Sequence, residues 1–170
     1  MKLLLEQHKK LFVGLSVLST LTLGLLSGQT EASTATATFT VTATVAATCT
    51  ISATNLAFGT YTGAVTNANS TVTVTCTNTT PYNVGLNAGT ATAATVSTRA
   101  MTGPSSATLS YGLFQDAAYT TNWGNTVGTD TETGTGNGSA QALTVYGQIP
   151  AGQYPAPGTY TDTITATITY

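Results

Sequence analysis

The chain has 170 residues, of which only 6% are charged, with four Lys and Arg against six Asp and Glu and a net charge of −2. The clustered Lys and Arg by which nucleic acid and anionic lipid are bound are absent, so both partners are excluded. Three of the four bases (Lys2, Lys9, Lys10) and the sole histidine, His8, fall within the first ten residues.

Those ten residues open a secretory leader. A basic start, the uncharged apolar run over residues 11–26 and then small polar residues are the order of a signal peptide. The run is shorter than the ~20 apolar residues of a spanning helix, so no permanent membrane anchor is expected. Thr30 and Ala32 put small residues where a signal peptidase reads, which sets residues 1–32 as the leader. From Ser33 onward one base, Arg99, stands against Asp116, Asp130, Glu132 and Asp162, a charge of −3. That length suits one domain with one core. Threonine makes up roughly a quarter of it and alternates with Val, Ile, Phe and Tyr, types that fit a pleated, half-buried surface. The composition is all-β.

Residues 35–47 alternate strictly, with Ala35, Ala37, Phe39, Val41, Ala43 and Val45 on one face and threonines on the other. Period two over this length predicts a strand. A second strand is expected over 49–53 and 56–61, broken near Asn55 and bent at Gly59. Residues 71–77 set Val72, Val74 and Cys76 against four threonines, and Tyr82, Val84 and Leu86 form the next strand. Residues 90–106 read as surface loop and 108–115 as strand. The glycine-rich stretch 124–138 reads as a mobile loop, and 142–149 as the penultimate strand. The last strand is expected over 159–170, with Tyr160, Ile164, Ala166, Ile168 and Tyr170 on one face. Seven short strands separated by turn signals imply an immunoglobulin-like sandwich.

Cys49 and Cys76, the only cysteines, both lie in the exported part, where thiols meet an oxidising compartment, and a disulfide between them is expected. Closing that loop contributes about 3.5 kcal/mol on the chain-entropy model. Two thiols without a mature histidine are too few ligands for a metal site.

Three stretches stand in order along the chain: Leu113, Phe114, Gln115 and Asp116 followed by Trp123 and Gly124; Tyr146, Gly147, Gln148, Ile149 and Pro150 leading to Gly152 and Gln153; and Gly158, Thr159, Tyr160, Thr161 and Asp162 before the terminal alternation. Together they resemble the spore coat protein U domain family, which includes the pilus subunits of the archaic chaperone-usher pathway. The resemblance implies an immunoglobulin-like sandwich over residues 48–170 that lacks its final strand. It implies a subunit handled by a periplasmic chaperone and an outer-membrane usher, and completed by the N-terminal extension of a neighbouring copy or related subunit. In this chain the extension is residues 33–47. The side chains matching the inserted ones are Phe39, Val41, Ala43 and Val45, of which Ala43 is small for the role. The organelle is then a pilus or coat at the cell surface that supports adhesion and biofilm formation.

Enzymatic activity is not expected. A Ser, Cys or Thr nucleophile needs a base within reach, and the exported part has neither His nor Lys. Asp130 and Glu132 sit in a Gly- and Thr-rich stretch where solvation is the expectation, and Asp116 and Asp162 are expected to cap turns or bond backbone. No cofactor is implied. The alternatives are a monomeric secreted coat protein and a carbohydrate-binding sandwich. The latter would stack sugars on Trp123 and Tyr119 beside Asn122 and Asn125, against the expectation that Trp123 packs over a sandwich edge. A calcium ion bound by the oxygens of 130–137 lacks a complete ligand set in the sequence.

Overall fold

Eight strands build two antiparallel sheets in the computed structural model, which describes residues 31–170. They are β1 (Cys49–Ala53), β2 (Thr66–Cys76), β3 (Pro81–Leu86), β4 (Arg99–Thr102), β5 (Thr108–Phe114), β6 (Glu132–Thr135), β7 (Ala140–Ile149) and β8 (Ala166–Thr169). One sheet runs β1-β2-β7-β5-β4 and the other β6-β3-β8, an immunoglobulin-like sandwich. The sandwich lies within one compact unit, Ala43–Tyr170. Among the described residues no helix is long and apolar enough to cross a membrane. The leader expected over residues 1–32 lies, but for its last two residues, outside those described.

The period-two pattern explains which side chains form the core. On β2, Val72, Val74 and Cys76 are buried while the threonines between them are half-exposed, because successive side chains of a strand point to opposite faces. Val145 and Ile149 of β7 and Leu109, Tyr111 and Leu113 of β5 add to the same face, and Tyr82, Val84 and Leu86 of β3 oppose them. Cys49 is the register partner of Cys76 across β1 and β2, and the two are joined by a disulfide. No free cysteine remains.

Several sequence expectations need correction. Residues 90–106 are not all surface loop: β4 lies within them and pairs with β5 from Arg99↔Tyr111 to Thr102↔Thr108. The stretch 124–138 contains β6, which pairs with β3. It is also tied down at Asp130, whose carboxylate accepts from Thr126 N at 2.6 Å. β2 begins at Thr66, ahead of the expected Thr71, because Asn67 and Asn69 continue the ladder to β7 in spite of their polarity. The ladder sets that boundary, since β-propensity yields to pairing context. Residues 56–61 form no strand. The terminal strand is only Ala166–Thr169, preceded by an isolated bridge between Thr161 and Thr102. Its expected alternation persists as far as Ile168: Tyr160, Ile164, Ala166 and Ile168 are half-buried and the threonines exposed, whereas Tyr170, expected on the same face, is exposed beyond the end of the ladder.

Candidate functional site

Two segments lying wholly or almost wholly outside the strands face each other. Residues 56–61 form one wall of an open apolar groove and residues 160–166 the other. The groove comprises two cavities of about 730 and 700 Å³ that share Leu56, Ala57, Phe58, Met101 and Tyr160. Its floor is Leu109, Tyr111 and Leu113 of β5 with Val145 and Ile149 of β7. The wall residues Leu56, Phe58, Tyr61, Tyr160, Ile164 and Ala166 pack against the core yet remain half-exposed. Apolar surface in that condition is stabilised by being covered.

Each wall is positioned from outside the groove. On the first, Leu56 and Phe58 occupy the space where a Cβ at Gly147 of β7 would sit, so glycine there lets the wall approach the sheet. Gly59 has a left-handed φ of +73°, which turns the chain at no steric cost. Farther on, the Tyr61 hydroxyl donates to Pro150 O at 2.8 Å and accepts from Gln153 N at 3.1 Å. The Gln153 amide in turn bonds Ser110 twice, accepting from its N at 2.8 Å and donating to its O at 2.9 Å. The second wall is anchored by Thr102 and Thr161, which exchange main-chain bonds at 2.9 and 3.1 Å, and by Asp162. The three sequence stretches singled out above therefore converge on this groove: one supplies floor, one the glycine and the Gln153 lock, one the second wall.

Behind the floor lies a feature the sequence did not disclose. Arg99 is 0% exposed. Its guanidinium donates to the carbonyls of Asn87, Val96, Leu86 and Trp123 at 2.7–2.8 Å. Burial lowers its pKa, opposed by Tyr111, Asp130 and Asp162. A lone arginine in a small-residue stretch reads as a surface cation, and no motif marks it otherwise.

Trp123 is 1% exposed, and its indole N–H donates to Val84 O at 2.8 Å. It sits in the core, not over a sandwich edge, and has no face free for a sugar. Tyr119 packs edge-on against Phe114 and Tyr146. Asp116 and Asp162 do bond backbone. Asp116 accepts from Thr121 N at 2.6 Å and from Ala118 N and Thr120 N. The Thr121 bond, with others from Thr120, holds its carboxyl down at about 2. Asp130 and Glu132 do not converge on a common site: Asp130 caps Thr126, while Glu132 is in β6, where burial raises its pKa.

Of the side chains expected to enter a neighbour, Phe39, Val41 and Val45 are between 81% and 88% exposed, and Ala43 is exposed too. Residues 31–48 carry no strand.

The model of the Spore Coat Protein U domain matches residues 35–167. The chain belongs to that family. A curated relative, Protein U of Myxococcus xanthus, is 45% identical over 62 residues, covering 36% of this chain and 34% of that protein. Among solved structures, a chain of the CsuC–CsuE chaperone-tip adhesion subunit pre-assembly complex from the archaic chaperone-usher Csu pili of Acinetobacter baumannii is similar, with a TM-score of 0.55 and 28% identity. The match covers 75% of this chain and 40% of that one. The matched segments thus cover less than half of either protein.

Proposed function

We propose that this protein is a non-enzymatic structural subunit of a bacterial surface pilus or coat, exported through the periplasm and joined to its neighbours by donor-strand exchange. The observation that carries the reading is the groove, whose apolar floor lies between two walls whose own apolar side chains stay half-exposed, with no strand between them. A β-strand with one apolar face suits such a gap: main-chain bonds to the walls give affinity, and alternate side chains entering the floor give specificity. Residues 33–47 of the next subunit are that strand. Phe39, Val41 and Val45 contribute about 1.5–3 kcal/mol each on burial, and the small Ala43 contributes less.

An unfilled subunit exposes core surface and strand edges, which invites aggregation. A periplasmic chaperone and an outer-membrane usher are therefore the further partners in this reading, supported by the likeness to a chaperone–subunit complex. Residues 1–32 act as the export signal and the assembled organelle serves adhesion and biofilm formation.

Val41→Arg tests the reading, because it forces a charge into an apolar groove, where burial without a partner is costly. The variant is expected to be exported with its disulfide intact and to form no fibres, as seen by electron microscopy of the cell surface. Normal fibres from Val41→Arg would reject donor-strand exchange and leave the monomeric coat protein in its place.

A further inference from the structure

The second groove wall changes sheets along its length. At Thr161 it is bridged to Thr102 of β4 in the first sheet. At Thr165, whose carbonyl accepts from Asn87 N at 3.1 Å, it joins the ladder of β3 in the second. Between these anchors the wall is held by a side chain. Asp162 Oδ1 accepts from Thr90 N at 2.7 Å, Thr90 Oγ1 at 2.8 Å and Thr163 N at 2.8 Å, and Oδ2 accepts from the Tyr111 hydroxyl at 2.7 Å. Tyr111 belongs to β5 of the first sheet and Thr90 follows β3 of the second, so one carboxylate ties the wall to both. The seat is closed behind it: a Cβ at Gly89, whose φ is +85°, would overlap the Asp162 carboxylate. Asp162 and Tyr111 both line the groove.

We propose that Asp162 is a positioning residue that holds the empty groove open in the shape its occupant requires. The inference rests on the donor-strand reading. Without the tie, the wall carrying the half-exposed Tyr160 and Ile164 is free to settle onto the apolar floor, since apolar surface left in water favours its own burial. Uptake of a strand would then have to lift the wall first, and association that waits on a conformational change is slow. A groove already in its bound shape avoids that ordering cost.

The test is stopped-flow uptake of a fluorescent peptide of residues 33–47 by the full-length oxidised chain at nanomolar concentration. Asp162→Ala is expected to slow uptake tenfold or more. Asp162→Asn should stay within about threefold, because its carbonyl keeps the Thr90 and Thr163 bonds and its amide donates to a Tyr111 hydroxyl that turns to accept. Tyr111→Phe preserves the ring and the core, and is expected to fall between the two. It decides the matter if Asp162→Ala does not fold. Uptake by Asp162→Ala at the wild-type rate, by Asp162→Asn as slowly as by Asp162→Ala, or by Tyr111→Phe unchanged overturns the proposal. Failure of the wild-type chain itself to take up peptide overturns the donor-strand reading on which it stands.

Discussion

Replacing Arg99 by Met keeps most of the aliphatic stem and removes the guanidinium from a site where it is wholly buried. Four carbonyls, those of Leu86, Asn87, Val96 and Trp123, then lose their donor. A buried polar group left unsatisfied costs about 1–3 kcal/mol, which for four would far exceed what single substitutions usually cost. Against this stands relief from burying a cation, itself several kcal/mol after relaxation. Because the four acceptors are neutral carbonyls, no charge is stranded and the two effects partly cancel, leaving about 3–5 kcal/mol of net destabilisation, the upper range for loss of a buried hydrogen-bond network. At roughly 3–5 °C per kcal/mol for a domain of this size, the midpoint should fall by about 9–25 °C. Trp123 is the only tryptophan and touches the guanidinium through its own carbonyl, so its fluorescence during thermal unfolding is the direct assay. Arg99→Lys should lie between wild type and Met, because one ammonium cannot reach all four oxygens. A fall of less than about 3 °C in Arg99→Met would refute the argument, by showing that the carbonyls find other donors at little cost.

Thiol labelling of the denatured, unreduced protein should find no site, and Cys76→Ala should cost about 3.5 kcal/mol by the loop-closure estimate for a 27-residue separation; two labelled thiols per chain would contradict the structure. The Asp116 carboxyl, held at about 2 by the Thr121 and Thr120 bonds, is depressed below its unfolded value, so its contribution is present above about pH 4 and lost as pH falls through its folded value. The midpoint difference between wild type and Asp116→Asn should therefore persist at neutral pH and vanish toward pH 2, and a pH-independent difference would exclude the ionised cap.

Period two made β2, β5 and β7 legible because each buries one face, and the two cysteines fell on strands that pair in register. The backbone-bonding roles of Asp116 and Asp162 were legible too. β4 and β6 were not: Arg99, Ala100, Met101 and Thr102, or Glu132, Thr133, Gly134 and Thr135, are too short and too polar to show a period, and only their ladder partners make them strands. Residues 56–61 and 159–165 fail in the opposite way. Their side chains alternate as strand residues do, but the chain supplies no complete ladder beside them. The groove is thus encoded as two strand patterns that miss a partner, a property of tertiary pairing that local sequence cannot express. Arg99 was hidden because its partners are all main-chain carbonyls, which leave no mark in the side-chain sequence.

The central claim is tested most directly by the electron density of the assembled organelle. A cryo-electron microscopy map of fibres formed by this chain should show residues 35–45 of one subunit lying between residues 56–61 and 160–166 of the next, with Phe39, Val41 and Val45 directed at Leu109, Tyr111, Leu113, Val145 and Ile149. A groove that is empty, or filled by a segment of its own chain, would contradict the account.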